Sequence, residues 1–187
     1  MKVFLVANIL VSVVNKEYPL YSWSSRVLSL HGNGDVQLYT SPLCLAIAFY
    51  FAGKKSGNKV ANRKLRMLCD HISITSMNGS VVSQVLSDRR ITDFEDGLEY
   101  YSALQSGCDY IVTEDGGDFW FSSVQVMDCR GFLQHFHRSS TTSPYLPTSS
   151  DPYLKVHRLR IITLILQYSG YIWENLSLGL NQIYTSY

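Results

Sequence analysis

Residues 93–119 read DFEDGLEYYSALQSGCDYIVTEDGGDF, and they contain the clearest helix, strand and loop signals of the chain. A T-x-x-E pattern begins at Thr92, which is typical of a helix N-terminus. Gly107 follows the apolar spacing of the helix and provides a stop in the left-handed conformation. Tyr110–Thr113 is then a short apolar run, typical of a buried strand, and an acidic loop follows it. The stretch therefore predicts helix, strand and loop in that order.

The same alternation continues outward on both sides of this stretch. Four more runs have the length and apolar character of buried strands: Val3–Val6, Val36–Thr40, Ile72–Thr75 and Val124–Met127. Five segments have helical spacing or helix boundary signals: Ser22–Leu30, Leu43–Ala52 after Ser41-Pro42, Lys59–Cys69, Ser80–Leu86 and a last helix from Asp128 to His137. Strands that alternate with helices predict an α/β sandwich around a parallel sheet. Leu43–Ala52 is so apolar that we expect it to be buried.

Composition limits the number of domains and the class of protein. The chain has 187 residues, of which 46% are hydrophobic and 17% charged, and its net charge is +1. These values exclude disorder of the whole chain and a strongly basic nucleic-acid coat. Residues 139–150 hold eight Ser or Thr and two Pro, which is typical of a linker. We therefore expect a domain at 1–138, a linker at 139–150 and an apolar tail of unknown role at 151–187.

The N-terminus and the cysteines bear on the cellular compartment. The run VFLVANILVSVV after Met1-Lys2 fits either the first buried strand or a signal peptide, and it is too short to span a bilayer. Four cysteines without a C-x-x-C pair exclude a zinc ribbon or a thioredoxin motif. Each lies in or beside an apolar run, which favours buried free thiols and a cytoplasmic protein without a membrane segment. A small secreted domain is the alternative.

Acidic side chains are expected to meet at one edge of the sheet. Asp93 and Asp96 share a helix face in its first turn, while Asp115 and Asp118 follow a strand. Asn8 follows the first strand and should face the same crevice. Carboxylates that converge repel each other unless a cation neutralises them, and oxygen ligands select Mg²⁺ or Mn²⁺. The alternative is that these acids cap helices or lie in a plain loop; Glu99 is expected to be solvated.

Residues 2–138 resemble a PIN domain, the metal-dependent ribonuclease fold of VapC-like toxins in bacterial toxin–antitoxin pairs. The resemblance is strongest over residues 93–119. There an acid opens the helix at Asp96, a glycine follows it, an apolar strand ends in Thr, and Asp115 and Asp118-Phe119 follow. VFLVANIL is similar to the first strand of the family, which ends in Asp-x-Asn. Here the first acid is Val6, and only Asn8 of that motif remains.

The resemblance implies a fold, an activity and partners. It implies a three-layer α/β/α sandwich and an endoribonuclease that uses Mg²⁺ or Mn²⁺, with Asp96, Asp118 and Asn8 in catalysis. Asp93 and Asp115 would join Asp96 and Asp118 as metal ligands. It also implies an RNA substrate, a protein antitoxin and a homodimer. Val6, together with the absence of an acid in residues 43–52, predicts impaired cleavage or a catalytically inactive module that binds RNA or protein.

Basic and aromatic residues suggest weaker hypotheses about RNA. A basic stretch on adjacent helices consists of Lys54, Lys55, Lys59, Arg63, Lys64 and Arg66. It is either a solvated surface, or a contact for the RNA backbone or for an antitoxin, with Lys54, Lys55 and Arg63 as the candidate RNA contacts. Four aromatic residues have the same ambiguity between base stacking and core packing: Tyr100, Tyr101, Trp120 and Phe121.

Overall fold

A five-stranded, all-parallel sheet forms the centre of the protein in a computed structural model that describes residues 1–32 and 34–141. The strand order is β3-β2-β1-β4-β5. The strands are β1 (Lys2–Leu5), β2 (Gln37–Thr40), β3 (Ser73–Ile74), β4 (Tyr110–Val112) and β5 (Gln125–Met127). All five predicted strands are confirmed within one or two residues of their expected ends.

Seven α-helices surround the sheet in two layers. They are α1 (Ala7–Asn15), α2 (Tyr21–Leu28), α3 (Pro42–Ser56), α4 (Asn58–Cys69), α5 (Gly79–Ser87), α6 (Phe94–Gln105) and α7 (Cys129–Thr141). Right-handed crossovers place α1 to α4 on one face, because β1, β2 and β3 follow one another in one direction. The return to β4 places α5 and α6 on the other face, and α7 packs against α2. The three-layer α/β/α sandwich is thus confirmed.

The core is centred on β1, which pairs with β2 on one side and β4 on the other. Val3, Phe4 and Leu5 are almost completely buried. A central parallel strand is covered on both faces, so its sequence is continuously apolar rather than alternating. The strand interpretation of the apolar N-terminal residues is therefore correct.

Helix α1 was not predicted, because its sequence continues the apolar run of β1. The two elements separate at Val6, which is extended, and α1 ends at Lys16, which adopts the left-handed conformation with φ 52°. The apolar face of α1 packs on α3. Hydrophobicity alone gives no boundary inside such a run, since buried strands and buried helices are both apolar.

Two helix predictions need correction. Asp93, not Thr92, caps α6, because the Asp93 side chain accepts hydrogen bonds from the backbone at the start of the helix. Helix α3 begins as predicted with Ser41 as the cap, but it is not buried all round. Cys44, Ala48 and Ala52 line its buried face, whereas Tyr50 and Phe51 are about half exposed, so the helix lies at the surface.

The last helix is longer than predicted. Helix α7 begins after Asp128, whose Oδ1 accepts a hydrogen bond from the Gly131 backbone, and it continues to Thr141 rather than to His137. The Ser139 hydroxyl donates to the His135 carbonyl, one turn earlier, which satisfies a serine inside the helix. Most of the predicted linker at 139–150 and all of the tail at 151–187 lie outside the described residues, so the predicted division of the chain stays a prediction.

All four cysteines are free thiols, as predicted. Cys44, Cys108 and Cys129 are buried and Cys69 is partly buried. Within residues 1–32 and 34–141, no helix combines the length and the apolar character needed to cross a lipid bilayer.

Candidate functional site

Polar side chains meet at the carboxyl edge of the sheet, between the ends of β1 and β4. The Asn8 amide nitrogen, in the first turn of α1, donates to Asp115 Oδ2 at 2.9 Å and to Thr113 Oγ1 at 3.0 Å. The Asp115 backbone N–H also donates to Thr113 Oγ1, at 3.1 Å. Asn8 thus fixes the loop after β4 against the start of α1. A short 3-10 helix at Gly116–Phe119 then carries Asp118.

Asp96 lies in the first turn of α6, which contacts this 3-10 helix. Its side chain is partly buried, and the pKa of its carboxyl is raised to about 6, with burial as the largest cause. Repulsion from Asp93 and Asp118, and then from Glu95 and Asp115, contributes the rest of this rise in pKa. The carboxyl group of Asp96 is therefore within electrostatic reach of each of the other three acids predicted as metal ligands, Asp93, Asp115 and Asp118.

Asp93 has a structural task in addition to any ligand role. Its Oδ1 accepts hydrogen bonds from the backbone N–H of Glu95 at 2.8 Å and of Asp96 at 3.3 Å. These contacts satisfy two donors that a helix N-terminus otherwise leaves without partners. They also hold the turn that presents Asp96.

Two substitutions of Asp93 should distinguish the contribution of its capping hydrogen bonds to stability from the contribution of its charge. Asp93→Ala is expected to lower the free energy of unfolding by about 1 kcal/mol, because the cap is lost. Asp93→Asn should leave it within about 0.5 kcal/mol of the parent, because asparagine caps equally well. Urea denaturation of both variants tests this, and an equal loss in the two would show that the cap is not the stabilising feature.

Val6 lies at the end of β1 and offers no ligand atom to the crevice. Its backbone N–H donates to the Val112 carbonyl at 3.2 Å, and its side chain is 2% exposed. Helix α1 has no side-chain cap at this position. An apolar residue therefore occupies the point where β1 enters the crevice.

The crevice contains oxygen atoms of the type that a hard divalent cation prefers as ligands, but only a few of them. Carboxylate oxygens of Asp96, Asp115 and Asp118 are of the type that Mg²⁺ prefers, and Asn8 Oδ1 is a buried oxygen without a hydrogen-bond partner. However, no three acidic, histidine or cysteine side chains in the described part of the chain are grouped closely enough to hold a metal ion. The residues present would therefore bind Mg²⁺ weakly.

Glu99 is the polar residue that the sequence analysis missed. It is 4% exposed rather than solvated. Its Oε1 accepts hydrogen bonds from Cys44 Sγ at 3.1 Å and from the Ala7 backbone at 3.4 Å. Burial raises the pKa of the Glu99 carboxyl to about 7, partly offset by these two bonds. The sequence does contain one signal for Glu99. It lies three residues after Asp96, so both residues lie on one face of the same helix.

The basic stretch lies away from these acids. Lys54 and Lys55 are at the C-terminal end of α3, about 20 Å along a helix that begins at the carboxyl edge. Lys55 Nζ donates to the Asn15 carbonyl at 2.6 Å, and Lys54 Nζ lies 4.2 Å from the centre of the Tyr50 ring. Arg63 is exposed on α4.

The aromatic residues divide clearly between core and surface. Tyr100 and Phe121 are buried, and Tyr101 is partly buried and donates to Asp88 Oδ2 at 3.0 Å. Trp120 is 67% exposed and follows Asp118 by two residues. Among these four, Trp120 alone is available to a ligand at the crevice.

Comparison with known proteins gives one family and several similar structures. The family model described as PIN domain matches residues 2–116. A solved structure of VapBC2 from Rickettsia felis, bound to a DNA fragment from its promoter, is similar with a TM-score of 0.54 and 18% identity. The similarity covers 68% of this chain and 98% of that one.

A second solved structure is VapC20 from Mycobacterium tuberculosis, described as a toxin that cleaves the sarcin-ricin loop. Its TM-score is 0.48 with 14% identity, over 58% of this chain and 86% of that one. No curated protein sequence matches the chain.

Proposed function

Because the chain belongs to the PIN domain family, we propose that it hydrolyses RNA phosphodiester bonds slowly, as a toxin of a toxin–antitoxin pair with a weakened metal site. The observation that carries this proposal is the position of Asp96, a partly buried acid that is repelled by Asp93, Asp118 and Asp115 at the edge of the crevice. Such a group of carboxylates is stabilised by a divalent cation. The protein antitoxin, the homodimer and the cytoplasmic location belong to the same proposal.

Each side chain has a defined part in the proposed activity. Asp96 and Asp118 would hold Mg²⁺ or Mn²⁺, assisted by Asp115 or by the second oxygen of Asp93. When bound, the cation would activate water and stabilise the leaving oxygen of a phosphodiester. Asn8 positions Asp115 through the 2.9 Å hydrogen bond. Val6 contributes neither charge nor a coordination direction, and this is the reason for a slow rate.

A module that binds RNA or protein without cleaving is the second candidate. Val6 favours it, as does the absence of a three-ligand group among residues 1–32 and 34–141. The two candidates share the fold and differ only in whether the remaining acids retain enough cation to support hydrolysis.

Cleavage of unstructured RNA with Mg²⁺ or Mn²⁺ distinguishes the candidates. We expect slow cleavage that EDTA stops and that Asp96→Asn lowers by about 100-fold, equal to about 3 kcal/mol of transition-state stabilisation. Asp70→Asn is the matched control, because Asp70 is an exposed acid at the end of α4.

Three results are informative in this experiment. Loss in the Asp96 variant, with normal activity in the Asp70 variant, supports the nuclease. Equal cleavage by the parent and the Asp96 variant would contradict it, because the activity would not come from the crevice. RNA binding without cleavage by any of the three proteins would select the binding module.

A further inference from the structure

Two arginines stack on one indole ring where α2 contacts α7. The guanidinium carbon of Arg26 lies 4.9 Å from the centre of the Trp23 ring, and that of Arg130 lies 5.7 Å from it. Both arginines are exposed and Trp23 is partly buried. We propose that Arg26 and Arg130 bind phosphate groups of the RNA strand that enters the crevice, an inference that rests on the proposed function.

Within residues 1–32 and 34–141, neither arginine forms an ion pair with a carboxylate. Over the same residues, the guanidinium groups of Arg26 and Arg130 donate no hydrogen bond. Two positive charges that share one ring and lack a carboxylate partner attract an anion.

Two acids at the start of α7 accept hydrogen bonds from its backbone. Asp128 Oδ1 accepts from the Gly131 N–H at 2.6 Å, and Glu114 Oε1 accepts from the Cys129 N–H at 3.2 Å. Both side chains therefore occupy N–H groups in the first turn of α7. The proposed anion site is formed by the exposed guanidinium groups and not by the helix terminus.

Stacking on Trp23 orients the guanidinium groups so that they can bind phosphate. A guanidinium that lies on an aromatic face keeps its five N–H donors at its edge, where they point to solvent. Each of these edges suits the oxygens of a phosphodiester, which arginine binds through paired hydrogen bonds. Because one ring holds both groups, little side-chain freedom is lost on binding.

The position of the pair relates it to the acidic crevice. Arg130 is the second residue of α7, which begins directly after β5, so it lies at the carboxyl edge of the sheet. Strand β5 is paired with β4, and the loop after β4 carries Asp115 and Asp118. The acids repel the RNA backbone, so a strand whose scissile phosphate meets them needs a positive group nearby. The Trp23 pair supplies that charge at the same edge.

RNA affinity measured without divalent metal tests this proposal. A fluorescently labelled, unstructured RNA is titrated in EDTA with the full chain, with the Arg26→Gln, Arg130→Gln double variant, and with a Lys59→Gln, Arg66→Gln double variant. The second variant removes the same charge from exposed positions on α4, within the basic stretch that the sequence suggested.

We expect the arginine variant to bind about tenfold more weakly and the α4 variant within about twofold of the parent. The slope of log affinity against log salt should fall by about one to two in the arginine variant, because two phosphate contacts are lost. Replacing both arginines by lysine should keep most of the dependence of affinity on salt, because the positive charge remains. Binding should still weaken, because lysine lacks the planar guanidinium group.

Equal loss in the two glutamine variants, or none in the arginine variant, would overturn the proposal. A polyglutamate peptide is the second probe: if the arginine variant loses affinity for the peptide but keeps it for RNA, the surface binds an acidic protein instead. Failure here is distinct from failure of the proposed nuclease. Binding in EDTA does not require cleavage, and Asp96-dependent cleavage does not require this pair.

Discussion

Replacing Val6 by aspartate should raise Mg²⁺-dependent cleavage of unstructured RNA by about 10–100-fold, because the crevice regains a carboxylate where β1 enters it. A metal ligand supplies charge and fixes one coordination direction. Even groups that only orient such a ligand change metal affinity or activity by about 10–100-fold. Initial cleavage rates of the parent and the variant, measured over a range of Mg²⁺ concentrations, give both the rate and the apparent metal affinity.

The effect of the same substitution on stability should change from destabilising in EDTA to stabilising when metal is added. Position 6 is 2% exposed, so a buried aspartate is expected to cost about 1–3 kcal/mol in EDTA. A bound cation stabilises the folded state by mass action. The melting temperature of Val6→Asp should therefore rise with Mg²⁺ much more than that of the parent.

Val6→Asn is the matched control, because asparagine has nearly the same shape as aspartate but carries no charge. It should gain neither activity nor Mg²⁺-dependent stability. Adding Asp96→Asn to Val6→Asp should remove the gain in cleavage. If Val6→Asn equals Val6→Asp, the charge argument is wrong, and if all variants are inactive, the binding module is favoured.

The parent protein should become less stable as the pH rises, and replacing Glu99 by glutamine should abolish most of this effect. Burial raises the pKa of Glu99 from 4.5 to about 7 in the folded protein. The folded state therefore binds more protons than the unfolded state between these values, so stability is full below pH 4.5 and falls as the pH rises through 7. A pKa raised this far corresponds to about 3 kcal/mol. Glutamine does not titrate and can still accept from the Ala7 backbone.

Urea denaturation at several pH values between 5 and 8 measures this difference. Glu99→Gln should be more stable than the parent by about 1–3 kcal/mol at pH 8 and similar at pH 5. Asp96, whose pKa is also raised, remains in both proteins, so a smaller pH dependence from Asp96 should persist in Glu99→Gln. Glu95→Gln is the control, because Glu95 is exposed on the same helix. A parallel pH dependence in the parent and Glu99→Gln would contradict the expectation.

The sequence predicted those features that are encoded locally. Gly107 has a φ of 65° after α6, and the Ser41 side chain caps α3, as their residue types indicated. The order of strands and helices led to the parallel sheet by general rules of connection. Helix α1 was missed because the boundary at Val6 depends on backbone conformation rather than on hydrophobicity.

The parts of the site that could not be predicted depend on contacts between distant segments. Glu99 is buried because α6 packs where Ala7 and Cys44 lie, 92 and 55 residues away in the chain. Trp23 and Arg130 meet only when α2 and α7 pack. No local pattern records such proximity, so these residues carry no signal in a single sequence.

The central position of β1 has a consequence for synthesis of the protein. One edge of β1 pairs with β2 soon after both are made, but the other waits for β4, whose residues follow more than 100 positions later. Asn8 and Asp115, which define the crevice, are also 107 residues apart. A growing chain therefore carries an unpaired strand edge and no crevice until β4 leaves the ribosome, and contacts of such long range form late. The crevice is consequently assembled only after almost the whole domain has been translated.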